Sequence, residues 1–395
     1  MTNTRADITL DIAIVGGGIA GLWLLDRLRT QGVSAALFSQ GPLGAGQTIA
    51  SQGMIHGGIK YTLNGALNDA SQTIATMPER WRRCLAGTGE VDLSRSRVLS
   101  DNFYLWSTGS IGKLAAFFAS RAVQGRITAV ANAKRPALLQ HQDFRGAVYR
   151  LAEQVIDVPG LLANLAANNR AHIFQAETPV LSHNSSGEIQ LHSNGQSISA
   201  KQWVLTAGSG NAALLSGLGS GLPAMQLRPL KQVVVRHQHP HAIYGHCLGA
   251  SITPRISFSS HPAADGSMVW YLGGALAEKG AELSDDRLMT LARQELDSVF
   301  PWLDFSAAEF STLSIDRAEP RQADGNRPDD AFAEKAPGLD SVIVAWPTKL
   351  ALAPLLADKI LGLLHTSGSQ NPDALTSLAH HFPHPLVASL PWETN

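Results

Sequence analysis

The chain has 395 residues, of which 44% are hydrophobic and 16% are charged, so it is long enough for two domains and apolar enough for a large buried core. Lys and Arg number 31 against 32 Asp and Glu, and this balance argues against nucleic acid as a main partner because no basic surplus can neutralise phosphates. The two cysteines, Cys84 and Cys247, stand far apart in the sequence and form no CxxC motif, which argues against a redox dithiol or a Cys-based zinc site and favours a reducing compartment.

The N-terminal segment gives no sign of export. Residues 1–10 are polar and lack the basic-then-apolar order of a signal peptide. The longest apolar stretch, residues 12–25, is shorter than the ~20 residues of a membrane span, and glycines interrupt it. We therefore expect a cytoplasmic protein without a membrane span.

The first elements predict a βαβ unit. Residues 11–15 form a short apolar run typical of a buried parallel strand, residues 22–29 have helical spacing, and residues 34–38 predict a second strand. The stretch 41–65 is rich in Gly, Ser, Gln and Asn and predicts a long binding loop. A helix is predicted over 66–85.

The middle and the end of the chain contain further strands and helices. Asp157 opens a predicted helix that runs to about Asn168, with Pro159 in its first turn. A helix is also predicted over 284–300, with acidic residues in its first turn, and another over 353–364. The predicted strands cover 171–174, 189–192, 202–206, 233–237, 252–258, 268–272 and 342–345.

A glycine motif follows the first strand. Gly16, Gly18 and Gly21 match GxGxxG, in which the first glycine makes a tight turn, the second lets the backbone approach a pyrophosphate and the third lets helix and strand pack closely. The helix that begins near Ile19 and Ala20 directs free N–H groups at the anion. A merely structural glycine turn is the alternative, but the position between a strand and a helix favours a dinucleotide site.

The second strand lacks the acidic residue that usually binds the ribose hydroxyls of the nucleotide. The residues at its end are Ser39 and Gln40, and both are neutral. Either side chain can hydrogen-bond a hydroxyl, though more weakly than a carboxylate. We therefore expect the nucleotide to bind with an unusual ribose contact.

Segments along nearly the whole chain resemble the D-amino-acid oxidase/glycine oxidase/glycerol-3-phosphate dehydrogenase superfamily of FAD enzymes. The loop Gln47–Tyr61, with its Ile-His-Gly-Gly turn, is similar to the loop that lies against the flavin in members that oxidise 2-hydroxyglutarate or glycerol 3-phosphate. The segments that carry the resemblance are Asp11–Leu22, Gln47–Tyr61, Val155–Leu165, Trp203–Asn211 with Arg228–Gln232, and Asp324–Pro354.

The resemblance implies an α/β fold (α+β overall), in which a dinucleotide-binding βαβ FAD domain is interleaved with a second domain built on a mostly antiparallel sheet. The FAD domain is expected at 8–80, 145–228 and 313–370, and the substrate domain at 81–144 and 229–312. The cofactor is FAD, and the residues expected to hold it are Gly16, Gly18, Ile19, Ala20, Gly21, Ser39, Gln40, Gln47, Thr48, Ser51, Gln52, Gly53, Met54, His56, Val180, Ala207, Gly208, Asn211, Thr348, Lys349 and Leu350.

Three residues are candidates for the chemistry. Histidine is the side chain whose unperturbed pKa lies near neutrality, so His56 suits removal of a proton from a hydroxyl or ammonium group, with a loop histidine bonded to backbone as the alternative. Arg255 could bind a carboxylate or phosphate, or be an edge-strand arginine. Glu319 stands where amino-acid oxidising members have an arginine for the substrate carboxylate, which favours an amine unless the flanking Arg317 and Arg321 neutralise it.

Two further sites have competing interpretations. Lys349, before a predicted helix N-terminus, could stabilise negative charge on the flavin, or be a solvated loop lysine. His237, His239 and His241 alternate as zinc ligands sometimes do, but with no Cys or acidic partner nearby we expect no metal site.

The predicted function is that of an FAD-dependent oxidoreductase. It would oxidise a C–N or C–OH bond of a small amine, amino acid or hydroxy acid by hydride transfer to flavin, with O2, a quinone or a partner protein as electron acceptor. The alternatives are a flavin monooxygenase, for which no second phosphate-binding glycine motif is found, a non-catalytic FAD-binding subunit, and an NAD(P)-binding protein.

Overall fold

The structure is a computed structural model, and it describes residues 8–57, 69–108, 127–249, 253–365 and 372–393. Its strands are β1 (Ile8–Val15), β2 (Ala35–Ser39), β3 (Val98–Ser100), β4 (Phe103–Trp106), β5 (Ile127–Ala129), β6 (Val148–Leu151), β7 (Val155–Ile156), β8 (Ile173–Gln175), β9 (Val180–His183), β10 (Ile189–Ser193), β11 (Gln196–Leu205), β12 (Met225–His237), β13 (Gly245–Cys247), β14 (Ile256–Pro262), β15 (Met268–Gly273), β16 (Glu309–Pro320), β17 (Phe332–Ala336) and β18 (Leu339–Trp346). Its α-helices are α1 (Ile19–Thr30), α2 (Asp69–Leu85), α3 (Val158–Asn168), α4 (Asn211–Gly217), α5 (Ala275–Gly280), α6 (Asp285–Val299), α7 (Ala353–Leu363) and α8 (Pro372–His381).

The first sheet is built around β1 and has the strand order β17-β18-β11-β1-β2-β8, with β10 and β9 extending from β11. The central strands β18, β11, β1, β2 and β8 pair in parallel. The side chains of Ile12, Ala13 and Ile14 are fully buried because helices cover both faces of this sheet. On one face α1 packs against α2, where the rings of Trp23 and Trp81 lie 4.7 Å apart.

The second sheet has the order β16-β12-β15-β14-β13-β4-β6-β5 and is antiparallel apart from the β13–β4 pair. Alternating residues of β14 explain its two faces. Ile256 and Phe258 pack in one core with Leu288 and Leu296 of α6. Ser257 lies on the opposite face, where it donates a hydrogen bond to the Oε1 of Gln52 in the loop that follows the first βαβ unit (2.9 Å). This face of the second sheet therefore meets the first domain.

The predicted α/β class with a βαβ unit and a mostly antiparallel second sheet is confirmed. The cores divide the chain differently from the expected domain limits in two places. Trp81 and Cys84 pack in the core of the first sheet, whereas β6, at 148–151, pairs within the second. The expected limits at 228/229 and 312/313 fall inside β12 and β16, which continue without interruption across them.

The end of the chain, which the sequence left without a structural prediction, runs from one domain to the other. Val387 forms a parallel bridge with Leu43, beside the glycine turn. Trp392 then lies 5.0 Å, ring to ring, from Tyr271 of the second sheet. Among the described residues, no helix has the length and apolar character that crossing a membrane would need.

Candidate active site

The three motif glycines of the turn between β1 and α1 differ in what a side chain at each position would contact. Gly16 has a φ of +124°, and a Cβ on it would lie 2.4 Å from the carbonyl carbon of Thr206. A Cβ on Gly21 would lie 2.1 Å from the carbonyl oxygen of Gly16. A Cβ on Gly18 would meet only the hydroxyl of Thr48, at 3.3 Å. Two of the glycines are thus required by the protein itself, while Gly18 keeps open a space in the cleft above the turn.

That cleft has a volume of about 760 Å³, within the range of cofactor sites. Helix α1 begins at its floor, and its N-cap residue, Gly18, has no side-chain cap. The Oγ1 of Thr48 accepts a hydrogen bond from the N–H of Ile19 at 3.2 Å. Of the residues expected to hold FAD, the cleft is lined by Gly16, Gly18, Ile19, Ala20, Ser39, Gln40, Gln47, Thr48, Val180, Ala207 and Gly208.

One end of the cleft is formed by the end of β2. Ser39 is buried, and its hydroxyl donates to the carbonyl of Gly41 at 2.9 Å. Val180, which also lines the cleft, is 51% exposed, a large value for a branched apolar side chain beside a pocket. An apolar ring system placed there would cover this surface, as expected for the adenine end of a dinucleotide.

The opposite wall of the cleft is held together by a residue expected to touch the cofactor. Asn211 is fully buried and lies behind the wall. Its Oδ1 accepts from the N–H of Ala207 at 2.8 Å, and its Nδ2 donates to the carbonyl of Ala345 at 3.3 Å. Asn211 therefore joins the turn after β11 to the end of β18, instead of lining the cleft.

The loop after Thr48 leaves the cleft and crosses to the second sheet. The Nε2 of Gln52 donates to the carbonyl of Tyr271 at 2.6 Å. Gly53 lies against the carbonyl of Ile156, and Met54 forms an isolated bridge with Val155. Ser51, Gln52, Gly53, Met54 and His56 thus lie beyond the cleft lining, on the side that faces the second sheet.

His56 lies in a cluster of polar and aromatic side chains at this domain boundary. Its Nδ1 is 2.9 Å from the Oε2 of Glu153. Its ring centroid is 4.9 Å from that of Phe103 and 5.3 Å from that of His246. The side chain of His56 is 39% exposed, so it is accessible from solvent. Gly58, the last residue of the Ile-His-Gly-Gly turn, and the end of the loop up to Tyr61 are outside the described residues.

Glu319 and Arg255 are held in ion pairs that do not involve His56. The side chain of Glu319 is 2% exposed, and its oxygens accept from Nε and Nη2 of Arg228 at 2.8 and 3.1 Å. Arg255 binds Glu295 of α6. The expectation that Glu319 offers a free negative charge is thus not met, because Arg228 of the neighbouring strand neutralises it rather than the flanking Arg317 or Arg321. Arg255 likewise does not offer a free positive charge, because Glu295 neutralises it.

The segment after β18 is tied to a neighbouring loop. The Oγ1 of Thr348, a residue with a φ of +58°, donates to the carbonyl of Asp330 at 3.1 Å. The Nζ of Lys349 donates to the carbonyl of Asp329 at 3.2 Å, and Leu350 starts a 3₁₀ turn before α7. These residues lie next to Trp346 and Pro347, which do line the cleft.

In the described part of the chain no group of His, Cys, Asp and Glu side chains could hold a metal ion. The backbone N–H of His239 donates a hydrogen bond to the Nδ1 of His237 at 3.1 Å. Burial lowers the pKa of His237 to about 4.

Sequence reasoning missed several residues of the cleft and of the cluster around His56. Ser314, Ile315 and Asp316 of β16 line the cleft, although nothing in their sequence distinguishes them from other strand residues. Glu153 and His246 contact His56 from distant parts of the chain. The one signal that the sequence gives for Glu153 and His246 is that each lies in or next to a short strand-like run, and this does not identify them as neighbours of His56.

The cleft fits FAD on two observations. The space above Gly18 is open where a side chain would fill it. The amide Nε2 of Gln47, a residue of the cleft lining, is buried and finds no partner among the described residues, so it is available to a polar ligand. A dinucleotide fold whose cleft opens toward an antiparallel second sheet is the arrangement expected of a flavin-dependent oxidoreductase.

The comparisons with known proteins agree. The chain belongs to the family of FAD-dependent oxidoreductases, whose family model matches residues 11–357. It is 44% identical over 388 residues to the probable FAD-dependent oxidoreductase PA4991 of Pseudomonas aeruginosa, and the match covers 98% of each chain. The crystal structure of PA4991 superposes with a TM-score of 0.83 over 99% of each chain, with 38% of the superposed residues identical.

More distant structures share the fold alone. Glycine oxidase from Geobacillus kaustophilus is 18% identical with a TM-score of 0.59, over 90% of this chain and 94% of that one. The L-alpha-glycerophosphate oxidase of Mycoplasma pneumoniae is 14% identical with a TM-score of 0.64, over 93% and 98% of the two chains. The family model and the 44% identical relative show that the protein is an FAD-dependent oxidoreductase, and its recognition as a member of this superfamily is confirmed.

Proposed function

We propose that the protein oxidises a C–OH or C–N bond of a small hydroxy acid, amine or amino acid, with His56 as the base. FAD, when bound, supplies the hydride acceptor. The observation that carries the proposal is the position of His56, which is accessible and lies where the loop leading out of the cofactor cleft meets the second sheet. Oxidation of either bond requires loss of a proton from oxygen or nitrogen as well as loss of a hydride, and an imidazole is suited to take that proton.

The residues of the cleft would hold the cofactor as follows. The N-terminus of α1 and the backbone of Gly17 and Gly18 would bind the pyrophosphate. Ser39 and Gln40 would bind the ribose, since they stand at the end of β2. Gln47 would donate a hydrogen bond to a polar group of the cofactor from its amide nitrogen, Nε2, while its Oε1 accepts from the N–H of Ala318.

The charges around the site limit how a substrate could be held. Arg228 pairs with Glu319, Arg317 binds Glu278 through two hydrogen bonds of 3.0 Å, and Arg255 pairs with Glu295. None of these three arginines and none of these carboxylates carries an unpaired charge. The groups that the structure places against His56 are the carboxylate of Glu153, which is bonded to its Nδ1, and the rings of His246 and Phe103.

The experiment is an anaerobic screen of amines, amino acids and hydroxy acids against the FAD-loaded protein. Bleaching of the flavin absorption band by a member of one of these classes is the expected result. Reduction by dithionite serves as the control that the flavin is competent. If dithionite bleaches the band and no compound of the three classes does so, the proposed reaction is wrong.

A further inference from the structure

Glu153 is the one carboxylate bonded to His56 among the described residues, and both of its oxygens are engaged. Its Oε2 lies 2.9 Å from the Nδ1 of His56, and its Oε1 accepts a hydrogen bond of 2.7 Å from the N–H of Gly57. The side chain of Glu153 is 9% exposed. The backbone donor therefore fixes the orientation of the carboxylate, and the second oxygen is directed at the imidazole.

This arrangement selects one tautomer of His56. A carboxylate can only accept hydrogen bonds, so the Nδ1 of His56 must carry the hydrogen that the contact requires. In a neutral imidazole the proton is then absent from Nε2. The nitrogen that does not contact Glu153 is consequently the one able to accept a proton.

His246 completes the surroundings of His56 without adding charge. Burial holds the pKa of His246 well below its usual value, with a further lowering by nearby His56, so this imidazole is neutral at physiological pH. Phe103 contacts both imidazoles, with ring centroids 4.9 Å from His56 and 4.7 Å from His246. The rings of Phe103 and His246 thus lie beside His56, and Glu153 places a carboxylate oxygen at its Nδ1.

We propose that Glu153 is a positioning residue of the reaction, holding His56 in the Nδ1–H tautomer so that Nε2 takes the substrate proton, and stabilising the imidazolium that results. This inference rests on the proposed function, in which His56 is the base. In this step the O–H or N–H proton of the substrate would go to Nε2, and the hydrogen on the adjacent carbon would leave with its electron pair as a hydride, so that a C=O or C=N bond forms. Bound FAD would supply the acceptor for that hydride.

The tautomer can be measured without knowing the substrate. The FAD-loaded protein is labelled with ring-15N histidine, and the His56 signals are identified by their loss in His56→Gln. At pH 8 the wild-type Nε2 is expected to show the chemical shift of an unprotonated nitrogen, and the Nδ1 that of a protonated one. The opposite pattern in the wild type would overturn the proposal.

Glu153→Gln gives a sharper test, because an amide cannot accept with both ends. The fixed N–H of Gly57 favours the amide oxygen on its side, which turns the amide NH2 toward the Nδ1 of His56. The expected result is a reversed tautomer, with the proton on Nε2. Glu153→Asp keeps the charge and should retain the wild-type pattern at least in part, and Glu309→Gln, at an exposed position, is the matched control that should leave it unchanged.

Kinetics separate this inference from the proposed function. With any compound that reduces the flavin, Glu153→Gln is expected to lower the rate constant of flavin reduction at least about tenfold while the substrate concentration at half-saturation changes little. A reversed tautomer together with an unchanged rate would contradict the positioning role. A wild-type protein that has the expected tautomer but is reduced by no compound would instead contradict the proposed function.

Discussion

The pair formed by Arg228 and Glu319 allows a quantitative test of whether Glu319 is a structural group. Arg228→Met removes the guanidinium but keeps an apolar stem of similar length. Glu319 would then be left without the two hydrogen bonds of 2.8 and 3.1 Å, in a position where its side chain is 2% exposed. Loss of one partner of a buried ion pair typically costs about 3–5 kcal/mol of unfolding free energy, and we expect a value in this range.

Glu319→Leu and the double variant test whether this loss of stability comes from the unpaired carboxylate. Glu319→Leu should cost less, about 1–3 kcal/mol, because Arg228 is 20% exposed and keeps Glu278 within 4.0 Å. The double variant Arg228→Met/Glu319→Leu replaces the whole pair by apolar groups, and such replacements are often neutral or stabilising. We expect the double variant to be more stable than Arg228→Met, with a coupling of about 2 kcal/mol or more.

The assay is chemical denaturation followed by circular dichroism, in a constant excess of FAD because bound ligand contributes to apparent stability. Arg321→Met, two residues along the chain from Glu319 and exposed, is the matched control and should change stability by less than about 0.5 kcal/mol. If Arg228→Met lowers the free energy of unfolding by less than about 1 kcal/mol, Arg228 and Glu319 do not form the buried ion pair described above. Glu319 would then again be a candidate for binding a substrate ammonium group.

Two further predictions concern His56 and the cysteines. His56→Gln should keep its FAD content and reduce the rate constant of flavin reduction by about 10²–10⁴-fold, measured by anaerobic rapid mixing, whereas an unchanged rate would exclude His56 as the base. Burial raises the pKa of Cys84 to about 11 and that of Cys247 to about 12, so both thiols stay protonated at pH 8. A thiol-specific chromogenic reagent should therefore react with the protein only after denaturation, and rapid modification of the folded protein would contradict the burial of these residues.

The first βαβ unit could be predicted because its signals are local. A buried strand, the glycines of the turn and a helix follow each other within the 23 residues from the start of β1 to the end of α1. Each motif glycine is required either by close contacts with backbone or by the open space of the cleft. The second sheet could be predicted in kind from its strand-like runs. Its order could not, because β13 pairs in parallel with β4, from a distant part of the chain.

The partners of the site residues could not be predicted, because they come from far along the chain. Glu319 meets Arg228 at a separation of 91 residues, and His56 meets Glu153 at a separation of 97. From the sequence, only the neighbouring Arg317 and Arg321 were expected as possible partners of Glu319. Asn211 shows the converse, since a polar residue next to a cofactor turn was expected to touch FAD and instead joins two backbone segments behind it.

The FAD content of Gly18→Val tests most directly whether the turn between β1 and α1 holds the cofactor. Gly18 has a φ of −78°, which any residue can adopt, and its missing Cβ would meet only the Thr48 hydroxyl at 3.3 Å, so the variant should fold. The valine would fill the space that the pyrophosphate needs. Gly362→Ala, at an exposed helical site with nothing within 4 Å of the added Cβ, is the control. We expect a folded protein without FAD for Gly18→Val and normal FAD content for the control. A folded Gly18→Val protein with a full complement of FAD would contradict this expectation.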